Sequence, residues 1–279
     1  MKDKKNSLTP GVLWGFIGAG QMGAAMMRGL VAAGLITPEN IRFFDPDPER
    51  QKELVTEGFK ATAGLAEIME AEVAVLAVKP QVAGTVLPTL QELAQGRHLL
   101  ISVVAGLSLA ALEKALPYPR VIRAMPNTPL LVQAGMTALA PGSRASAEDV
   151  QLALTMFNAL GRAMIVAEAH FDAVTALSGS GPAYVAVFLE ALADGGVRMG
   201  LPRTLAQELA LQTLLGTARL CQEKNLHPAI LKDQVASPGG TTIAGLHALE
   251  QGGFRGLVMN AVEAATWRAQ DLAAASNDR

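Results

Sequence analysis

The chain has 279 residues, half of them hydrophobic (50%), enough for one large domain or two ordinary ones, each with a real core. Lys plus Arg number 23 against 25 Asp plus Glu, a net charge of −2, with no basic stripe to suggest nucleic acid and no polybasic amphipathic segment to suggest a membrane surface. One cysteine, Cys221, excludes an intrachain disulfide and fits a reducing compartment.

The opening MKDKKNSLTP is charged and polar, lacks the apolar stretch of a secretory signal, and reads as a disordered tail over residues 1–10. No apolar run approaches the roughly 18 residues that would span a bilayer, so a soluble, cytoplasmic protein without a membrane partner is expected. VLWGFI at 12–17 reads as a buried strand, and a helix pattern follows from Met22 to about Ala33. IRFFD at 41–45 is a second strand. EVAVLAV at 72–78 is a third, and its unbroken apolar run suits a sheet covered on both faces. HLLISVVA at 98–105 and RVIRAM at 120–125 follow, with helix-like segments at 48–57, 82–95 and 108–115 between strands. The alternation predicts a parallel, doubly wound α/β sheet. GMTALAP at 135–141 and RAMIVAE at 162–168 would add edge strands, with a helix at 146–160 between them.

After about residue 170 strand signals stop. The segments 183–200 and 205–221 are apolar on nearly every side, the mark of buried helices. About a hundred residues cannot easily surround them all, so they should pack against a partner subunit. The alternative is one compact monomeric bundle.

Chemistry concentrates in a few turns. Gly18-Ala19-Gly20-Gln21-Met22-Gly23 follows the first strand and opens a helix, the context that makes a G-x-G-x-x-G pattern informative. Gly18 permits a tight turn, Gly20 lets the backbone approach a pyrophosphate, and Gly23 allows the helix to pack on the strand. The diphosphate would sit on the helix N-terminus. This makes residues 11–168 a Rossmann-type dinucleotide-binding domain. Asp45 ends the second strand, where a carboxylate suits the paired ribose hydroxyls of NAD and repels the 2′-phosphate of NADP. Arg50 could offset that repulsion, and Asp45 could instead begin a turn and cap the next helix.

Ligands of open α/β sheets lie beyond the carboxyl ends of strands. Val78, Lys79 and Pro80 after the third strand, and Ala105 and Gly106 after the fourth, should border the nicotinamide half of the cofactor. Lys79 could be a base or an anion contact, or a solvated loop residue. Met125, Pro126 and Asn127 end the fifth strand in a turn stiffened by two prolines, and Asn127 offers donors and an acceptor to a carboxamide.

A second glycine turn, SPGGTTI at 237–243, is unexpected so late in a nucleotide-binding chain. With GFIGAGQMG, AVKP, RAMPNTP, LSGSGPAY (177–184), HP…LKDQVASPGGTTI (227–243) and GFRGLVMNAVEAA (253–265) in order, the sequence resembles the pyrroline-5-carboxylate reductase family over nearly all of residues 12–275. The resemblance implies reduction of the cyclic imine 1-pyrroline-5-carboxylate to L-proline with NADPH or NADH. It also implies a Rossmann domain followed by an all-α domain, here 169–279, that forms a homodimer by interleaving C-terminal helices, with dimers often joined into larger rings. Many members carry a polar or basic motif suited to NADP after the second strand, where this chain has Asp45-Pro46-Asp47, so both NADP and NAD stay as candidate cofactors.

The family's substrate site falls on SPGGTTI. By resemblance Ser237, Gly239, Gly240 and Thr241 would cradle the substrate carboxylate, as backbone amides at a helix N-terminus suit an anion. Thr242 would place its hydroxyl on the ring nitrogen and is the catalytic candidate. Ser178 and Ser180, in SGSGP, would face the same pocket by resemblance, although that loop could equally just cap a helix. No strong acid is required, since an imine can take its proton from water.

Other polar residues carry less. His98 begins a strand, His170 lies at the domain junction, His227 precedes Pro228 at a helix start, and His247 sits between Leu246 and Leu249. None has a partner at metal-ligand spacing, so no metal is expected. Glu190 and Asp194, four apart, could be paired acids or a wet helix edge, and the eleven methionines suit adaptable packing. Two rivals remain. A 3-hydroxyacid dehydrogenase of the β-hydroxyacid type shares the first loop but needs a lysine base on the first helix of its second domain, and 183–201 holds no lysine. A non-catalytic NAD(P)-binding sensor would leave SPGGTTI idle.

Overall fold

A computed structural model describes residues 12–277, so the expected tail at 1–10 lies outside the described residues. In chain order the elements are β1 (Trp14–Ile17), α1 (Gln21–Ala32), β2 (Ile41–Phe44), α2 (Pro48–Thr56), β3 (Lys60–Ala61), α3 (Leu65–Ile68), β4 (Val73–Leu76), α4 (Pro80–Leu93) and β5 (Leu99–Ser102). They continue with α5 (Leu109–Ala115), β6 (Arg120–Met125), β7 (Gly135–Pro141), α6 (Ala147–Asn158), β8 (Gly161–Ile165) and α7 (Phe171–Val174). Five helices close the chain: α8 (Gly181–Arg198), α9 (Arg203–Glu223), α10 (Pro228–Val235), α11 (Thr241–Gln251) and α12 (Phe254–Asn277). The chain divides into two compact units, one running to Ser180 and including Ala265 onward, the other Gly181–Ala264.

The first unit holds one eight-stranded sheet, ordered β3-β2-β1-β4-β5-β6-β7-β8. β1, β4 and β5 are buried along their whole length. Alternate side chains point to opposite faces of a strand. Phe16, Val73, Val75 and Ile101 therefore join one core with Phe43, Met26 and Phe157, while Ile17, Ala74, Leu76 and Leu100 join another with Leu90 and Leu112. Both faces are covered, as the unbroken apolar runs imply.

Three sequence expectations need correction. The sheet is not wholly parallel, because β7 runs antiparallel to β6. The turn at Thr128–Val132 and Gln133, at φ 57°, reverse the chain too soon for a crossover helix. The stretch 135–141 is no edge strand, since β8 pairs with its far side. The edges are β8 and the two-residue β3, which pairs with β2 and is too short to give a periodic signal. α3 was also illegible. It packs so close to β1 that a Cβ on Gly15 would lie 2.6 Å from Ile68 Cγ2. Lastly, the helical run Glu168–Arg198 is long and apolar enough by composition to cross a membrane, contrary to the expectation that no stretch would be.

In the second unit α8 and α9 pack through Ala193, Ala206 and Ala210, with Leu189 and Val197 against them. Small residues bring these helices together: a Cβ on Gly196 would stand 3.1 Å from that of Ala206. α10 and α11 bury no residue at all. Val187, Leu211, Leu257 and Met259 are each more than half exposed, so the unit leaves most of its apolar surface uncovered within one chain.

Candidate functional site

The strand order reverses between β1 and β4, which makes their carboxyl ends a topological switch point. The glycine loop leaves β1 there. Gly18 has φ 91°, a conformation that favours glycine, and its amide donates to the Phe44 carbonyl at 2.8 Å. A Cβ on it would meet the Ala77 carbonyl oxygen at 2.7 Å. Ala19 is buried, while Gln21 is exposed and Met22 half-buried on the first turn of α1. Gly20 is the N-cap of α1, with no side-chain cap, and a Cβ built on it meets nothing within 4 Å. Gly23 is the opposite case: a Cβ there would run into the Gly18 carbonyl oxygen. The loop thus combines close backbone packing beneath with open space and uncapped helix amides above. This fits a dinucleotide pyrophosphate.

Asp45 follows β2 directly. Its Oδ2 accepts the Ala19 N–H at 2.7 Å and its Oδ1 accepts the Asp47 N–H at 3.0 Å. Helix capping, the alternative reading of Asp45, belongs instead to Asp47, whose Oδ1 accepts from the Glu49 and Arg50 amides at 3.0 and 3.4 Å. Arg50 donates to Glu53 at 2.7 Å. Glu53 also accepts from Arg28 on α1 at 2.6 Å, and Arg28 forks onto Glu57 at 2.6 and 2.7 Å. The side-chain hydrogen bond from Arg28 holds the Glu57 carboxyl below its ordinary range, against partial burial, and Glu57 raises the Arg28 guanidinium in turn.

Beyond β4, Val78 is half-buried and Lys79 exposed, with Pro80 starting α4. Ala105 is exposed and Gly106, at φ 76°, forms the turn after β5. After β6, Met125 is half-buried, Pro126 buried, and Asn127 committed to the protein. Its Oδ1 accepts the Met136 N–H at 2.8 Å, and its Nδ2 donates to the Ser178 carbonyl at 3.1 Å and to Ser178 Oγ at 3.4 Å. Ser178 lies in a π-helical turn, Thr175–Gly179, closed by the Ser180 amide donating to the Thr175 carbonyl at 2.8 Å. Single π turns are frequent at functional sites. The small residues of SGSGP were the only trace of it in sequence, because the wider turn is set by contacts: a Cβ on Gly179 would meet Met125 Cε at 2.7 Å.

A polar lock beside these strand ends was also missed. Arg123, nearly buried, donates to Glu168 Oε1 at 2.7 Å and lies over the Phe171 ring at 4.6 Å. The same Glu168 oxygen accepts the Leu109 amide that opens α5, at 2.6 Å. An arginine in an apolar strand was the available signal.

In the second unit, Ser237-Pro238-Gly239-Gly240 is a β-turn. The Gly240 amide donates to the Ser237 carbonyl at 3.1 Å, with proline second and Gly239 third at φ 65°, the arrangement of a type II turn. Gly240 then serves as the N-cap of α11 without a side-chain cap, so the first-turn amides of Thr241, Thr242 and Ile243 receive no side-chain acceptor. A Cβ on Gly240 would collide with Ser237 Oγ, so the serine hydroxyl lies directly over the turn. Thr241 is exposed and Thr242 half-buried. A cleft of about 550 Å³ runs from Gly239 and Gly240 along α11 to Lys232, His247 and Arg255.

Three of the remaining polar candidates have structural partners. His98 is buried, its Nδ1 accepting the Gln95 amide at 2.8 Å and its Nε2 standing 2.8 Å from the Met69 carbonyl. His227 caps α10 through Nδ1, which accepts the Ala229 amide at 3.2 Å. Asp194 pairs with Arg203 at 2.5 Å with both side chains exposed, and Glu190 is exposed too, as a wet helix edge would be. Among the described residues no group of three or more His, Cys, Asp or Glu could hold a metal ion.

Two family models match the chain, one described as pyrroline-5-carboxylate reductase dimerisation over residues 168–272 and one as coenzyme F420-dependent NADP oxidoreductase over 14–106. The chain is 48% identical over 265 residues to the pyrroline-5-carboxylate reductase of Synechocystis, covering 92% of this chain and 97% of that one. Its fold is similar to that of the pyrroline carboxylate reductase of Plasmodium falciparum, solved with NADP bound (TM-score 0.86, 34% identity, covering 94% and 98% of the two chains). It is likewise similar to a pyrroline-5-carboxylate reductase from Coxiella burnetii (TM-score 0.87, 34% identity, 94% and 99%).

Proposed function

The chain belongs to the pyrroline-5-carboxylate reductase family and reduces 1-pyrroline-5-carboxylate to L-proline, the last step of proline biosynthesis, by hydride transfer from NAD(P)H; we propose that the type II turn before α11 is where it holds the imine. The observation that carries this reading is the uncapped N-terminus of α11, led by two glycines and a serine, with a threonine in its first turn. Backbone amides of Gly239 and Thr241, with Ser237 Oγ, take the substrate carboxylate, because a helix N-terminus favours negative charge, while Gly240 closes the turn through its amide bond to the Ser237 carbonyl. Thr242 Oγ1 accepts the N–H of the protonated ring nitrogen, which keeps the adjacent carbon electrophilic. The proton itself comes from water. Ser178 and Ser180 are substrate candidates through the family resemblance of SGSGP alone.

Residues 11–168 hold the dinucleotide and 169–279 hold the imine. Gly18–Gly23 grip the pyrophosphate, Asp45 the adenosine ribose, and Val78–Pro80, Ala105–Gly106 and Met125–Asn127 border the nicotinamide half. Because both of its polar ends are engaged, Asn127 shapes this border by anchoring the π turn at Ser178 to β7. Orientation of two reactants in this way can contribute about 7–11 kcal/mol to a bimolecular step. The helices α8–α12 form a homodimer, with dimers able to join into a larger ring. Their exposed apolar residues, and the apolar run Glu168–Arg198, are covered by a second copy rather than by lipid. The match to a dimerisation model over 168–272 supports this, and the lone free cysteine suits a cytoplasmic enzyme.

Steady-state kinetics of Thr242→Ala test the site. Loss of one hydrogen bond to the reacting nitrogen should lower kcat about tenfold or more, and Thr242→Ser should restore most of it. Wild-type kinetics in Thr242→Ala would remove the residue from the reaction.

A further inference from the structure

We infer that Asp45 makes this enzyme prefer NADH to NADPH. The inference rests on Gly18–Gly23 being the dinucleotide loop and narrows that reading to one cofactor. Asp45 is fixed in place from three sides. Its two carboxylate oxygens accept the Ala19 and Asp47 amides at 2.7 and 3.0 Å, and its carbonyl accepts Gln51 Nε2 at 2.6 Å. The Ala19 bond ties the carboxylate to the loop itself, at the switch point where an adenosine ribose lies in folds of this kind. A fixed carboxylate there accepts hydrogen bonds from the 2′- and 3′-hydroxyls. A 2′-phosphate offers it no donor and adds nearly two negative charges.

The neighbouring charges reinforce the choice. Asp47 and Glu49, both exposed, are of the same sign as Asp45. Arg50, the cation that could answer a 2′-phosphate, is diverted to Glu53 at 2.7 Å. Glu53 in turn is held by Arg28 at 2.6 Å, so Arg50 belongs to a chain of pairs linking α2 to α1. Lys52 lies exposed on α2, beyond Arg50. That a relative 34% identical was solved with NADP does not decide the matter, because side chains at a single turn make the selection.

Isothermal titration calorimetry of the full chain with NADH and with NADPH, without imine, tests this. NADH should bind at least tenfold more tightly at about 0.1 M salt, and the gap should narrow as salt rises and screens the repulsion. Equal affinities, or tighter NADPH, would overturn the inference. Asp45→Ser keeps an acceptor for the Ala19 amide but removes the charge, and should cut the NADH-to-NADPH affinity ratio at least tenfold. Should that variant fail to fold, the near-isosteric Asp45→Asn should shift the ratio in the same direction. An unchanged ratio in a folded variant overturns the role of Asp45. Activity separates the two readings: imine reduction with neither cofactor would sink the assignment of function while leaving the binding ratio intact, whereas efficient reduction with NADPH preferred would sink this inference alone.

Discussion

Replacing Gly20 by alanine should abolish tight dinucleotide binding without unfolding the chain. Gly20 sits at φ −63°, ψ −167°, which any residue adopts, and an added Cβ meets nothing within 4 Å. The stability cost is that of a poorer N-cap, about 1 kcal/mol or less, and should lower Tm by roughly 2–4 °C. The added methyl nevertheless occupies the space where phosphate oxygens must approach the first amides of α1. Loss of one hydrogen bond to a charged group costs about 1.5–3 kcal/mol, or roughly ten- to hundredfold in Kd. Gly23→Ala is the control, because its Cβ would strike the Gly18 carbonyl oxygen, backbone that cannot yield without moving α1. That variant should lose about 2–4 kcal/mol of stability. Calorimetry with NADH, beside thermal melts of both variants, distinguishes them. Wild-type affinity in Gly20→Ala, or a melt as low as that of Gly23→Ala, would refute the division of labour between the two glycines.

Two further outcomes are expected. Arg123→Leu breaks a pair that is buried on the arginine side and leaves Glu168 about 30% exposed, able to recruit water. It should cost about 2–3 kcal/mol in urea unfolding, below the full penalty for a buried pair, and Arg123→Leu/Glu168→Gln should recover much of the loss; a cost under about 1 kcal/mol would contradict the lock. The depressed Glu57 pKa makes its pair with Arg28 stabilising above the unfolded glutamate pKa near 4.3, and that stability is lost as pH falls through the folded value. Both side chains are more than a third exposed, so the stability gap between wild type and Glu57→Gln should stay under about 1 kcal/mol at pH 7 and shrink as pH falls through the folded value; a gap that does not shrink on acidification would assign the effect to packing instead.

The motifs were legible because their information is local. Gly18, Gly20 and Gly23 carry backbone requirements that hold wherever the chain folds, and the buried strands VLWGFI, EVAVLAV and HLLISVVA announce a covered sheet through unbroken apolar runs. SPGGTTI encodes its own turn, since proline second and glycine third select type II before any tertiary contact forms. The short β3 and α3 were illegible, being held by β2 and by Ile68 against Gly15 rather than by any period of their own. The π turn at Thr175–Gly179 was hidden for the same reason, as its partners Asn127 and Met125 lie about fifty residues earlier.

The sequence by itself determined which backbone segments could approach an anion and which strands had to be buried, because both follow from the conformational freedom of glycine and from side-chain periodicity. Only the tertiary structure decided the reversal at β7 and the partners of the polar groups: Asp45 tied to the first loop, Arg50 spent on Glu53, and Asn127 spent on Ser178 and Met136. A charge or a hydrogen-bonding group acts through space over a few ångströms, so its role is set by whichever neighbours the fold brings within reach.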